Sequence, residues 1–332
     1  MPRLVAAPDT FREAGSALEL ALAVARAAAQ AGWACEQVPV SDGGEGFCEV
    51  IGGRSRSARV HGPDGALVEA EWRLLDDGRT ATVETALGSG LALVGGPDRN
   101  DAVAADSTGT GELIAEAVRS GARRVLVGMG GSASTDGGLG ALDVLEPHSR
   151  LRGVELVVAC DTSARFVDAA SVFAEQKGAS PVQVKLLVRR LERLAQLYRE
   201  RHGVDVTDLP GAGAAGGLAG GLAALGASLL PGFDVVADAV DLAGQLEGAD
   251  LVVTGEALID EESWAPGRAV GGVARLAGEL GVPVVVVAGQ VVDPPAAPCI
   301  DLTERFGAER ARLDAPGCVT EVVAELLARP AG

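Results

Sequence analysis

A chain of 332 residues has room for two domains, and 48% hydrophobic residues can fill sizeable cores, which 3% aromatics leave mainly to Ala, Val and Leu. Its 46 acidic against 28 basic residues, a formal charge of -18, exclude a general nucleic-acid surface but leave room for a local Arg pocket holding a small anion. No apolar run reaches the ~20 residues of a membrane span and no signal peptide precedes the first strand-like segment, so a cytoplasmic protein without a membrane partner is expected.

The predicted elements begin with the apolar run Leu4–Ala7, which ends in Pro8-Asp9. Ser16 to Ala31 carries a helix pattern with Gly32 as its stop, and Cys35 to Val40 a second strand closing on Ser41-Asp42-Gly43-Gly44-Glu45-Gly46. From Ser57 to Thr85 the texture changes to short alternating segments broken by Gly62-Pro63-Asp64-Gly65 and Asp76-Asp77-Gly78, which are hairpin signals for an antiparallel or mixed sheet. Glu112–Ser120 reads as a helix, Arg124–Val127 as a strand entering a Gly-rich loop, and Pro181–Arg201 as a long basic helix. The first texture then returns: strand Ala249–Thr254, helix Arg268–Leu280, strand Val282–Ala288 and helix Cys318–Ala328. These flanking βα units complete one doubly wound sheet, residues 1–60 plus 245–332, around an inserted α/β domain at residues 61–244.

Several loops have the composition of ligand sites. Ser107-Thr108-Gly109-Thr110-Gly111-Glu112 precedes a helix, where its hydroxyls and free N–H groups suit either a phosphate or ordinary capping. Gly128 to Gly138 follows a strand and holds enough glycines for successive N–H groups to converge on an anion, with Asp136 as a candidate metal ligand. Gly211-Ala212-Gly213-Ala214-Ala215-Gly216 matches the dinucleotide fingerprint in letters, but the segment before it is a poor strand. Walker A is absent. Cys35, Cys48, Cys160, Cys299 and Cys318 form no C-x-x-C pair, and the isolated His61, His148 and His202 suit surface or packing roles. Lys177 and Lys185 are the only lysines. Carboxylates at strand ends (Asp9, Asp42, Asp161, Glu256, Asp260) beside Gly-rich anion cradles suit phosphoryl transfer, in which a protein supplies positioning, a metal and charge stabilisation.

In this order, Ala7-Pro8-Asp9-Thr10-Phe11-Arg12, Ser41 to Gly46, Ser107 to Leu113 and Gly128 to Gly138 resemble the successive signatures of bacterial glycerate kinases. Ala159-Cys160-Asp161, Gln176-Lys177-Gly178-Ala179, Gly211 to Gly217 and Thr254-Gly255-Glu256 continue the series over nearly the whole chain. The resemblance implies a flavodoxin-like doubly wound parallel sheet domain interrupted by a second α/β domain with a mixed sheet. It also implies a kinase that uses ATP and Mg²⁺ to phosphorylate D-glycerate or a related hydroxy acid. On that reading Asp42 or Asp161 takes the acceptor proton, while Lys177 and Arg268 neutralise polyphosphate. Asp9, Arg12, Ser107 and Thr108 meet the substrate, with Arg12 near its carboxylate. Gly130, Gly131, Ser132, Gly213 and Glu256 hold the nucleotide, and Asp136, Glu256 and Asp260 the metal. Self-association is compatible with the sequence.

The chain departs from the family's D-S-F-K-G at Arg12 and Glu13, from an Asn-Pro pair after Asp161 at Ala164, and from an Arg at Leu258; Arg268 stands in place of a Lys. A repurposed or catalytically silent relative that binds a metabolite or nucleotide is the alternative those departures suggest.

Overall fold

The computed structural model describes residues 1–12, 14–293 and 297–328; Glu13 and the side chain of His148 lie outside the described set. In chain order the strands are β1 (Arg3–Pro8), β2 (Ala34–Gln37), β3 (Arg54–His61), β4 (Leu67–Leu74), β5 (Thr80–Glu84), β6 (Arg124–Gly128) and β7 (Glu155–Cys160). They continue with β8 (Ser228–Pro231), β9 (Leu251–Gly255), β10 (Leu258–Ile259), β11 (Val284–Ala288), β12 (Gln290–Val291) and β13 (Cys299–Asp301). The chain divides into two compact units, Met1–Asp42 with Phe233–Gly332, and Gly43–Gly232.

The discontinuous unit holds a parallel sheet in the order β13-β11-β9-β1-β2. Counted within this sheet and read from the other edge, that is 2-1-3-4-5, the flavodoxin-like doubly wound order. Its inner strands β1, β9 and β11 are short runs rich in Val and Ala, buried on both faces as parallel strands require. Helix Ala17–Gln30 begins in a capping box, Ser16 with Glu19, and turns Leu20, Ala21, Val24 and Ala27 inward. That face packs with Val319, Val322 and Val323 of helix Ala315–Ala328. Full burial of a side chain such as Leu20 stabilises by about 1.5–3 kcal/mol.

The contiguous unit holds a six-stranded mixed sheet in the order β3-β4-β5-β6-β7-β8, antiparallel through β5 and parallel beyond it. Both hairpin signals are used. The Gly62 N–H donates to the Ala66 carbonyl, and Asp77 Oδ1 accepts from the Arg79 and Thr80 N–H groups. Helix Pro181–His202 has a Ser180–Gln183 capping box, Pro181 in its first turn and Gly203 at φ 71° as its stop. Its buried face presents Leu187, Leu191, Leu194 and Tyr198.

The units meet in sequence at 42/43 and 232/233, where the sequence pattern places 60/61 and 244/245. At the first of these the reason is pairing. β3 runs antiparallel to β4 over its whole length, so residues 54–60 belong to the mixed sheet. Among the described residues no helix is long and apolar enough to cross a membrane.

Candidate functional site

Open α/β sheets gather ligands at the carboxyl ends of their strands, and in each unit the acidic and Gly-rich segments fall there. In the discontinuous unit Pro8 of β1 pairs with Gly255 of β9, so Asp9 and Glu256 emerge side by side; the Asp9 N–H donates to the Gly255 carbonyl at 2.8 Å. Beyond β2 the chain stays alongside β1 through Val38 to Ala6 and Val40 to Pro8 bonds, and this extension delivers Asp42.

Arg268, just before helix Ala269–Glu279, donates from Nη1 to Asp42 Oδ2 at 2.5 Å, both side chains being half-buried. Burial above all, then the neighbouring Asp42 and Glu256 charges, hold Asp9 well above the usual carboxylate range, partly offset by the Thr10 N–H and Arg268. Glu256 is likewise raised, by burial and by Asp42 and Asp260, with Ser263 and Arg268 opposing. Its Oε1 is buried with no hydrogen-bond partner. Asp260 is tied into its own turn, accepting from the Ser263 N–H at 3.1 Å. Arg12 is exposed in the turn after Asp9, and Leu258 is exposed on β10.

In the contiguous unit Glu84 of β5, Gly128 of β6 and Ala159 of β7 stand in register, so the Gly128–Gly138 loop and Asp161 leave the same sheet edge. The loop is folded around Asp136, only 6% exposed. One carboxylate oxygen accepts from the Ser107 N–H, the Ser107 hydroxyl and the Gly140 N–H at 2.8–3.0 Å, and the other from the Gly138 N–H at 3.1 Å. The oxygens that the sequence puts forward for a metal are thus engaged by four donors of their own unit. Ser107 is fully buried in that network, and Thr108 already lies in helix Thr108–Arg119, a turn earlier than the sequence pattern places its start. Gly109 permits this: a Cβ there would come within 2.2 Å of the His61 and Gly88 carbonyl oxygens. Glu112 takes up His61, accepting from its N–H at 2.7 Å and bonding its ring Nδ1 at 2.8 Å.

Lys177 packs under the same loop, with Nζ 2.7 Å from Ser132 Oγ and 2.7 Å from the Ser134 carbonyl oxygen. Asp161, half-buried beyond β7, and Asp136 both act on its charge. Gly130 is pressed so close to Gly44 that a Cβ would lie 2.5 Å from Gly44 Cα, while Gly131 is exposed. Gly213 abuts the Arg165 carbonyl, where a Cβ would lie 2.5 Å away, so it serves close backbone packing. Among the described residues no strand lies between Cys160 and Gly213, as the sequence context indicates.

Two residues escape sequence reasoning. Glu84, 4% exposed, accepts from the Gly46 N–H at 3.1 Å and the Cys48 N–H at 3.2 Å, fixing the Gly43–Gly46 loop. Its signal is an acid closing a fully buried strand. Asn100 donates to the Ala133 and Lys177 carbonyls and carries no motif at all.

Among the described residues no group of three or more His, Cys, Asp and Glu side chains forms a ready metal cage. Magnesium needs none: one or two carboxylates and the phosphates of a substrate complete its octahedron. The unpartnered Glu256 oxygen, beside an Asp9 that burial and the Asp42 and Glu256 charges raise, fits a divalent cation.

The glycerate kinase family model matches residues 4–147 and 141–305. An uncharacterized Mycobacterium bovis protein is 41% identical over 309 residues, spanning 87% of this chain and 79% of its own. A glycerate 2-kinase of Escherichia coli is 36% identical over 329 residues, spanning 88% of this chain and 86% of its own. A crystal structure from Salmonella typhimurium LT2, of a protein assigned as glycerate kinase 2, superposes with a TM-score of 0.83 at 32% identity, covering 98% of both chains. With the family model matched over most of its length and its fold in agreement with these likenesses, the chain belongs to the glycerate kinase family.

Proposed function

We propose that the protein is a cytoplasmic kinase that transfers the γ-phosphoryl group of ATP to a hydroxyl of D-glycerate or a related hydroxy acid. Family membership carries this reading, through a relative named glycerate 2-kinase that aligns over most of both chains. In the reaction the acceptor oxygen bonds to phosphorus, the bond from phosphorus to the ADP oxygen breaks, and the acceptor proton goes to a carboxylate. Asp42 suits that task within its unit, a half-buried carboxylate at the sheet's carboxyl end held in place by Arg268. Asp161 is the second candidate.

Glu256, with Asp9 beside it, would hold Mg²⁺, and Asp260 would reach the ion through water. When bound, the ion neutralises phosphate charge. The Gly128–Gly138 loop and Lys177 supply N–H, hydroxyl and ammonium groups for phosphate oxygens, and exposed Arg12 suits the carboxylate of the hydroxy acid.

The test is ATP consumption by purified protein with Mg²⁺ and a panel of hydroxy acids including D-glycerate. Turnover with D-glycerate is expected, and it should be lost in Asp42→Asn combined with Asp161→Asn; undiminished turnover in the double variant removes both bases. Nucleotide binding without turnover on any acid would instead identify a catalytically silent binding protein. Turnover with a different acid alone would direct attention to Arg12, Ala164 and Leu258.

A further inference from the structure

Of the 28 Lys and Arg residues only Lys177 and Lys185 are lysine, so this sequence meets almost every need for a cation with a guanidinium. Lys185 is exposed on helix Pro181–His202, where either side chain serves. Lys177 is 7% exposed, and its ammonium bridges Ser132 Oγ and the Ser134 carbonyl oxygen at 2.7 Å each. A compact ammonium with three tetrahedral donors fits between two acceptors on one tight loop; a planar, longer guanidinium does not.

The grip extends further. Asn100 Nδ2 donates to the Lys177 carbonyl at 2.8 Å and to the Ala133 carbonyl at 3.1 Å, so three successive loop residues are held. Around them Asn100 Oδ1, Ser134 Oγ and Thr135 Oγ1 are buried without a partner in the protein. Buried polar atoms in that state call for a ligand or water.

We propose that Lys177 is the positioning residue of the Gly128–Gly138 loop, fixing Ser132 to Ser134 and giving the loop the positive charge that receives a phosphate group, a pair of tasks Arg cannot perform here. This deepens the kinase reading and rests on it. Burial pulls the Lys177 ammonium down to about 8, against the opposing pull of Asp136 and Asp161. The charge is therefore present below that pH and withdrawn above it. Asp98, Arg99, Asp101 and Glu175, on the adjoining segments, are solvent-exposed, and their influence is screened.

The experiment measures Mg-ATP and inorganic phosphate affinity, with kcat/KM, from about pH 6 to about pH 10 for wild type, Lys177→Arg and Lys177→Met. Wild-type affinity should fall roughly tenfold or more as pH rises through about 8. Lys177→Met should bind weakly with a flat profile, and Lys177→Arg should not restore it. Wild-type affinity in Lys177→Arg, or an unchanged pH profile in Lys177→Met, overturns the proposal. If the variants do not fold, the wild-type profile decides, and affinity flat across that pH overturns it. Phosphate binding with the expected pH dependence, but no ATP turnover, would leave Lys177 its role and sink the kinase reading instead.

Discussion

Asp136→Ala removes the acceptor of four hydrogen bonds from a site that is 6% exposed. Each bond to a charged group contributes about 1.5–3 kcal/mol, but four in one network are not additive and entering water recovers part. A loss of roughly 4 kcal/mol is a reasonable floor, and it would be a large share of the about 5–15 kcal/mol that holds a typical protein folded. For a unit of this size 1 kcal/mol moves Tm by about 2–4 °C, so the expected fall is roughly 8–16 °C. Asp136→Asn keeps one acceptor but turns an amide NH₂ toward N–H donors, and should be nearly as damaging. Thermal unfolding followed by circular dichroism, with and without Mg²⁺, reads both. A variant melting as an ordinary surface substitution would, within about 0.5 kcal/mol, refute the structural role. If Mg²⁺ then raised the wild-type Tm and not that of Asp136→Ala, the carboxylate would be a metal ligand instead.

Gly130→Ala puts a methyl 2.5 Å from Gly44 Cα, backbone against backbone, and should cost about 1–3 kcal/mol in denaturant unfolding, with a roughly hundredfold fall in kcat/KM; wild-type values would show the two loops free to part. Tyr198→Phe deletes the 2.9 Å bond from the phenol to the Gly137 carbonyl and should cost about 1 kcal/mol, read the same way; no change in midpoint would mean water replaces it. Asp9 is held above its ordinary 3.8, so over the window from there to its raised folded value the native state binds the extra proton and stability falls as pH rises. Arg268→Gln removes a cation that lowers both Asp9 and Glu256, so unfolding free energies measured against pH should show that window reaching further up; an unchanged slope contradicts the coupling.

Much of this architecture is legible in the sequence because the signals are local. Gly62-Pro63-Asp64-Gly65 and Asp76-Asp77-Gly78 mark their hairpins by turn chemistry, and Ser16 with Glu19 marks a helix start by a capping box. Asp9 and Glu256 are legible as acids at strand ends, but their adjacency is a matter of register between strands far apart in the chain. The same holds for the first domain end, which depends on β3 finding β4. Ser107 and Asp136 carry motif letters that fit a ligand as well as they fit each other, and their mutual hydrogen bonds are visible only in the fold. Asn100 leaves no local trace, since its partners, Ala133 and Lys177, are bonded through their backbone carbonyls.

The β1–β9 pairing sets an order of events on the ribosome. The Thr254 hydroxyl donates to the Ala7 carbonyl across 247 residues, which at roughly 5–20 residues per second is a delay of about 12–50 s. Throughout that interval the apolar segment Leu4–Ala7 has emerged without the neighbour that will flank it, while residues 43–232, contiguous in the chain, can already fold. The nascent protein therefore carries a sticky, half-built sheet through most of its synthesis, and slower elongation or scarce chaperones should lower the yield of native protein without touching its final stability.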